Sequence, residues 1–135
     1  MYERIKESFD KQGLMRTLNA QLVNVQEGEV KITCEFSTGL TQQHGFFHAG
    51  VMTSIVDSAC GYAAWTMMSS DKDVLTVEFK ANFLKPAKTG KIIAVGKVLQ
   101  AGRNLVVCEG QVFDETESKL LVKMTATMIA VPKAM

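Results

Sequence analysis

This sequence contains few histidines and prolines. It also has no long apolar run and no excess of one charge. No apolar stretch in its 135 residues approaches the ~18 that a membrane-spanning helix needs, so we predict no membrane partner. The net charge is +1, and lysine and arginine are scattered singly, which argues against nucleic acid as a partner. The 47% hydrophobic and 21% charged residues that remain are typical of an ordinary soluble globular protein.

The N-terminus also lacks the apolar core of a signal peptide, because residues 1–13 are rich in charge. The three cysteines, Cys34, Cys60 and Cys108, are odd in number and form no C-x-x-C pair. Together these absences predict free, buried thiols in the reducing cytoplasm. Linkers, repeats and low-complexity tracts are missing as well, so the length predicts one domain over residues 1–135.

Hydrophobic periodicity predicts an α+β protein. A short amphipathic helix is predicted over residues 2–12, with Gly13 as its stop. Residues 18–37 alternate between apolar and polar side chains and predict two strands joined by a turn at 27–28. Apolar residues then recur at spacings of three and four, which predicts a long helix over residues 48–68.

After this helix the period changes to two, which predicts four strands in an antiparallel meander. Their expected bounds are 74–84, 91–100, 104–114 and 120–130. Short polar turns are expected between the last three strands. In the first strand, strict alternation places five apolar side chains on one face: Leu75, Val77, Phe79, Ala81 and Phe83.

The predicted long helix carries a single acid, Asp57, within a stripe of otherwise small side chains. Small side chains let another backbone approach closely, so we expect this helix to be covered on nearly all sides. The sequence therefore predicts a long central helix wrapped by a curved antiparallel sheet. A lone Asp in such a helix is either a buried acid with a hydrogen-bond partner or a catalytic group.

Several segments of the chain carry a family resemblance. They are HGFFHAG at 44–50, Asp57 nine positions after His48, GYAA at 61–64, VLTVEFKANFLKPAKTG at 74–90 and GRNL at 102–105. In these segments the chain resembles the PaaI-like acyl-CoA thioesterases of the hotdog fold. The match covers nearly the whole chain, and its spacing is specific for the family but much less so for the substrate.

The resemblance implies hydrolysis of an acyl-CoA, of medium-chain or aryl-acetyl type, to a free acid and CoA. No cofactor is implied, because CoA is part of the substrate. The resemblance further implies a homodimer, paired again into a homotetramer. The active sites are expected at the dimer interface, with residues from both chains.

The resemblance also implies roles for single residues. Asp57 is expected to be the catalytic carboxylate, and Thr76 to supply a strand hydroxyl that positions water. His48 is expected to open the helix, and the backbone N–H groups of Ala49 and Gly50 to bind the oxyanion. Ala49 departs from the commoner H-G-G pattern, a harmless change if only the backbone N–H is used.

A polar residue is expected to orient the water or contact the thioester. Gln42 stands where Asn is frequent in the family, so its role is open, and Gln43 is its near rival. The resemblance places the CoA portion along one segment and near one turn. The expected CoA-binding residues are Phe83, Lys85, Pro86, Lys88, Arg103 and Asn104.

The chemistry of these residue types agrees with the implied reaction. A helix N-terminus offers free backbone N–H groups and a positive dipole end, and the small side chains of Ala49 and Gly50 would let a carbonyl approach. Desolvation inside an apolar helix is expected to raise the pKa of Asp57. Such a carboxylate acts as a general base or as a nucleophile, and the sequence does not choose between them.

Other chemistries fit the sequence less well. His44 and His48 have a spacing that binds zinc when both lie on one helix face, but Gly45 intervenes and His44 precedes the helix, so no metal site is expected. Cys60 has no basic neighbour in sequence to activate it. A hotdog hydratase would place a His beside the acid, and none follows Asp57. A non-catalytic acyl-CoA-binding protein remains the main alternative.

Overall fold

A computed structural model of the protein describes residues 1–133 as three α-helices and six strands. Among these residues no helix is both long and apolar enough to cross a membrane. The helices are α1 (Tyr2–Lys11), α2 (Gly13–Thr17) and α3 (Ala49–Trp65), with a short 3₁₀ turn at Thr38–Leu40. The strands are β1 (Ala20–Gln26), β2 (Glu29–Glu35), β3 (Lys72–Phe83), β4 (Lys91–Ala101), β5 (Leu105–Phe113) and β6 (Leu120–Pro132).

All six strands form one antiparallel sheet in the order β1-β2-β4-β5-β6-β3. Helix α3 contacts every strand, which requires the sheet to curve around it. The predicted α+β architecture with a long central helix is therefore confirmed. The four-strand meander is wrong at its first strand, because β3 pairs with β6 while β4 pairs with β2. Periodicity reports which face of a strand is apolar, but not which strand lies beside it.

The closest approach of α3 to the sheet occurs at two glycines. A Cβ on Gly96 of β4 would stand 2.4 Å from the carbonyl of Ala59, and one on Gly110 of β5 would stand 2.6 Å from Val56 Cγ2. The sheet therefore meets the apolar face of the helix. The small-residue stripe that contains Asp57 is only half-buried, so the expected cover on nearly all sides is wrong for the single chain.

A β-bulge divides β3. Val77 is skipped in the pairing with β6, so Thr76 stands opposite Met128 and Phe79 opposite Ala126. Both of these β6 residues are fully buried beneath the helix. Thr76 and Phe79 therefore share the helix-facing side, whereas Leu75 points outward. The prediction of one apolar face along β3 is wrong here, because strict alternation cannot anticipate an extra residue.

The N-terminal segment folds against the rest of the core. Helix α1 buries Ile5 and Phe9, as its amphipathic pattern predicts. Gly13 does not simply stop this helix: the chain bends at Gln12, and Gly13 begins α2. Helix α2 was not predicted, since five residues are too few to show a helical period.

Candidate active site

His48 is the N-cap residue of α3. Its Nδ1 accepts a hydrogen bond of 2.7 Å from the N–H of Gly50, so the proton of the neutral ring is on Nε2. Gly50 must be glycine for this contact, because a Cβ there would lie 2.9 Å from His48 Nδ1. His48 thus opens the helix by satisfying one of its unpaired amides.

This cap changes which amide can bind an oxyanion. The Gly50 N–H is already engaged by His48 within the same chain. The N–H of Ala49 makes no hydrogen bond to any of the residues 1–133, and Ala49 is exposed at the helix end. Of the two amides considered from the sequence, the Ala49 N–H is therefore the one left open for a ligand oxygen.

Gln42 lies in the loop that leads to this helix end. Its Oε1 accepts hydrogen bonds from the backbone N–H groups of His44 at 2.6 Å and Phe46 at 3.2 Å. Its side-chain NH₂ group donates to none of the residues 1–133, so it can donate outward. Gln42 also lines a cavity of about 250 Å³ whose walls do not include Gln43. The other lining residues are Phe46, Phe47, Ala49, Met52, Phe83, Leu84, Lys85 and Pro86.

Asp57 lies two turns further along α3, where it meets β3. Thr76 Oγ1 donates a hydrogen bond of 2.9 Å to Asp57 Oδ1, and the bulge at Val77 is what turns Thr76 toward the helix. Partial burial raises the pKa of Asp57, and the hydrogen bond from Thr76 lowers it to a smaller extent. The result is a positioned carboxylate that is more basic than an ordinary surface Asp.

A second cavity, of about 240 Å³, opens beside this carboxylate. The part of its wall formed by Ser8 and Gln12 was not predicted, because the α1 segment and the middle of α3 are far apart in sequence. Ser8 and Gln12 are four residues apart and so share one side of the α1 segment, but nothing in the sequence connects that side to Asp57. The lining residues are Ser8, Gln12, Asp57, Ser58, Gly61, Tyr62, Val74 and Thr76.

The two cavities share no residue. Asp57 follows Ala49 by eight residues, which is about 12 Å along the helix axis. One thioester group cannot contact both the Ala49 N–H and the Asp57 carboxylate of the same chain. Strand β3 connects the two places, since Thr76 touches the Asp57 cavity and Phe83 lines the Gln42 cavity.

A family model described as the thioesterase superfamily matches residues 44–121, more than half of the chain. The chain belongs to the thioesterase superfamily. A solved thioesterase family protein from Silicibacter pomeroyi is 39% identical and covers 98% of each chain with a TM-score of 0.93.

More distant relatives agree with this assignment. A Saccharolobus solfataricus protein named as an esterase is 30% identical over 125 residues, 93% of this chain and 82% of that protein. The Escherichia coli PaaI protein, at 16% identity, shares the fold with a TM-score of 0.89 over 98% of this chain and 94% of its own. The predicted hotdog fold and the predicted thioester-hydrolysing class of enzyme are therefore confirmed.

The residues expected to bind CoA fall into two groups in this thioesterase. Phe83, Lys85 and Pro86 line the Gln42 cavity, and Lys88 Nζ lies 5.5 Å from the centre of the Phe46 ring beside it. Arg103 and Asn104 lie in the β4–β5 hairpin, where the Asn104 carbonyl accepts a bond from the N–H of Ala130.

These two groups are far apart within one chain. Ala130 pairs with Val74, and Val74 lies nine residues from Phe83 along β3. At the rise of a strand this is about 30 Å. A single thioesterase chain therefore does not bring its two sets of expected CoA ligands together.

The cysteines of the thioesterase are free and buried, as predicted. Burial raises the pKa of Cys34 and Cys108 to about 11, and it raises the pKa of Cys60 further. Such thiols stay protonated and are poor nucleophiles near neutral pH. Asp57 is thus the better placed group for attack on a thioester or for activation of water.

Proposed function

We propose that this thioesterase hydrolyses an acyl-CoA, of aryl-acetyl or medium-chain type, to the free acid and CoA. The observation that carries the proposal is the Asp57 carboxylate, held by Thr76 at 2.9 Å and exposed to a cavity. Its raised pKa makes it a suitable base or nucleophile. No cofactor is needed, because water is the only co-reactant.

The reaction follows from these groups. The ionised Asp57 removes a proton from water as the water oxygen attacks the thioester carbon, or it attacks that carbon itself to form an anhydride that water then opens. The Ala49 N–H donates to the developing oxyanion, and the free NH₂ of Gln42 donates to the thioester or the water. The C–S bond breaks, and the CoA thiolate leaves and takes up a proton.

The active unit we propose is a homodimer formed through β3. This strand is an edge of the sheet and exposes Val77, Phe79 and Phe83. Antiparallel pairing with β3 of a second copy places the Thr76 end of one strand beside the Phe83 end of the other. Asp57 of the partner subunit then reaches the Ala49 amide and Gln42, which one chain cannot achieve alone.

The same pairing assembles the proposed CoA site. It brings Arg103 and Asn104 of the partner subunit toward Lys85 and Lys88, so that cations from both chains can meet the CoA phosphates. Further pairing into a homotetramer is supported by the outer face of the sheet. There Leu75 and Leu105 stand on either side of Ile129 in register, and both leucines are largely exposed.

Release of CoA thiol from a panel of acyl-CoAs tests the proposal. The panel spans short, medium and long chains together with phenylacetyl-CoA and benzoyl-CoA. Asp57→Asn is expected to lower kcat by on the order of 100-fold or more, because the base or nucleophile is lost. Asp71→Asn, the same exchange at an exposed turn, is expected to leave turnover unchanged.

A folded Asp57→Asn enzyme with normal turnover would contradict the proposal. Tight binding of acyl-CoA by the wild type with no thiol release from any member of the panel would instead support the non-catalytic binding protein. Circular dichroism of each variant confirms that the fold is kept.

A further inference from the structure

A third cavity, of about 350 Å³, opens between α1, the end of α3 and the start of β3. It shares only Ser8 with the cavity beside Asp57, and it shares no residue with the Gln42 cavity. No group that the proposed reaction uses lines it. The other lining residues are Arg4, Glu7, Lys11, Trp65, Asp73 and Lys133.

Arg4 is held in place by an aromatic ring. Its Cζ lies 3.9 Å from the centre of the Trp65 ring, which is a close cation–π contact. The ring is fixed in turn, because Trp65 Nε1 donates a hydrogen bond of 2.8 Å to the carbonyl of Lys72. The guanidinium of Arg4 is therefore positioned before any ligand arrives.

The hydrogen-bond donors of Arg4 are not all used by the chain. Its Nη2 is buried and has no hydrogen-bond partner among residues 1–133. Burial also lowers the pKa of Arg4, and the charge of Asp73 offsets this effect only in part. A buried donor without a partner is uncommon in folded proteins and calls for a partner from outside the chain. An anion would supply both the missing acceptor and the missing charge.

Two lysines add to the positive charge of the lining. The N–H of Lys133 donates a hydrogen bond of 3.2 Å to the carbonyl of Asp71, which fixes the backbone of Lys133 beside β3. Lys11 lies 3.5 Å from Glu7, and both of these side chains are exposed, so this ion pair is weak. The three cationic and two acidic side chains of the lining leave one net positive charge.

Charge and shape favour a carboxylate as the ligand. One net positive charge suits a monoanion, whereas the two acids in the lining disfavour a phosphate group that carries nearly two charges. The planar fork of a guanidinium matches a carboxylate with two parallel hydrogen bonds. Trp65 and the methylene stems of the lysines offer apolar contact to a small organic body.

We propose that Arg4, Lys11 and Lys133 form a binding site for a small organic carboxylate, separate from the Asp57 cavity and from the proposed CoA site. Arg4 binds the carboxylate with its guanidinium, and the two lysines attract it. The site does not depend on the proposed function, because no reacting group lines it. Since Arg4 belongs to α1 and Lys133 follows β6, a bound carboxylate should also stabilise the docking of α1.

Trp65 is the only tryptophan of the chain, so its fluorescence reports on this site. Titration with sodium cyclohexanecarboxylate, at an ionic strength held constant with sodium chloride, is expected to change the emission saturably with a Kd on the order of 1 mM. The neutral cyclohexanecarboxamide and inorganic phosphate should bind at least tenfold more weakly. Calorimetry measures the same Kd without the fluorophore.

Variants separate the site from the rest of the surface. Arg4→Met keeps an apolar stem over Trp65 and should weaken binding at least tenfold, while Lys133→Met should weaken it a few-fold. Arg103→Met, which removes an arginine of the expected CoA turn, should keep the wild-type Kd. Arg4→Lys keeps the charge but not the fork and should give an intermediate Kd. Circular dichroism checks that each variant is folded.

Several results would overturn the proposal. They are no saturable binding to the wild type in either measurement, and an unchanged Kd in Arg4→Lys and Lys133→Met, which test the site even where Arg4→Met does not fold. Equal binding of the carboxamide would show that charge is not recognised. Tighter binding of phosphate, or displacement of the carboxylate by CoA, would assign these cations to a phosphate group instead. None of these results bears on thiol release, so the thioesterase function is judged separately.

Discussion

The two edge strands of the sheet share one backbone irregularity but differ in what surrounds it. A bulge skips Val23 in β1 and Val77 in β3, and both valines are 52% exposed. Around Val23 the exposed side chains are polar, namely Gln21, Asn24 and Gln26. Around Val77 they include Leu75, Phe79 and Phe83.

The difference indicates that the two bulges serve different purposes. Strand β1 spans seven residues and contacts α1 and α2, so its bulge and polar side chains suit an edge that ends the sheet in solvent. Strand β3 spans twelve residues with apolar side chains exposed along it. Its bulge turns Thr76 toward Asp57, and the remaining apolar edge is the surface of the proposed dimer.

The largest expected effect comes from a charge placed at each bulge. Val77→Lys should dissociate the proposed dimer and lower turnover by on the order of 100-fold, because two lysines would meet at a desolvated interface and each site would lose its partner. Val23→Lys, the same exchange at equal exposure, should change neither property. Sedimentation velocity and thiol release measure both, and a fully active Val77→Lys monomer would refute the β3 interface.

A smaller effect is expected at the residue that the β3 bulge reorients. Thr76→Val removes the hydrogen bond that lowers the pKa of Asp57, so desolvation raises that pKa further. Because catalysis needs the ionised carboxylate, the acidic limb of the kcat/KM profile should move to higher pH, and turnover at pH values on that limb should fall several-fold. Thr76→Ser keeps the donor and should keep the profile. If the acidic limb of the Thr76→Val profile stays at the wild-type pH, the Thr76 hydroxyl does not control the pKa of Asp57.

The smallest expected effect concerns stability. Because its pKa is raised by folding, Asp57 binds its proton more tightly in the folded protein than in the unfolded chain. The free energy of unfolding therefore falls as the pH rises from the pKa of Asp57 in the unfolded chain to its pKa in the folded protein. Asp57→Asn should therefore raise the free energy of unfolding at neutral pH by about 0.5–1 kcal/mol, allowing for partial exposure.

The reverse exchange at the other bulge is the control. Asn24→Asp, at the exposed flank of Val23, should change stability by less than about 0.5 kcal/mol. Urea unfolding at neutral and acidic pH measures both variants. A loss of stability in Asp57→Asn would show that the carboxylate supports the fold rather than strains it.

Much of the fold could be predicted because it depends on local pattern. The long helix, predicted over 48–68, runs from Ala49 to Trp65, and the hairpin between β4 and β5 lies where a short turn was predicted. Strand order and the bulge at Val77 could not be predicted. Both depend on how distant segments pack, and a single extra residue in β3 leaves no mark in a sequence of alternating side chains.

The site shows the same division. Asp57, Thr76 and Gln42 could be named because the family resemblance implies them, and the structure brings Asp57 and Thr76 into contact. The engagement of the Gly50 amide by His48 could not be foreseen, since it depends on the rotation of one ring. Nor could the wall formed by Ser8 and Gln12 be foreseen, because these residues lie 54 and 50 positions before Tyr62 in the sequence.

The contact of Gly96 with the backbone of Ala59 sets the distance between α3 and the sheet. Gly96 has no side chain that could be shortened, so α3 cannot lie closer to the sheet at this contact. Almost any larger residue at position 96 would push α3 away from the sheet. The contact therefore fixes the depth of α3, and with it the position of Asp57, relative to the sheet. The N-terminal segment is held in the core by Ile5 and Phe9, and it meets the cavity beside Asp57 through the polar side chains of Ser8 and Gln12. Substitutions at Ser8 and Gln12 should therefore change the shape and polarity of this cavity without moving Asp57.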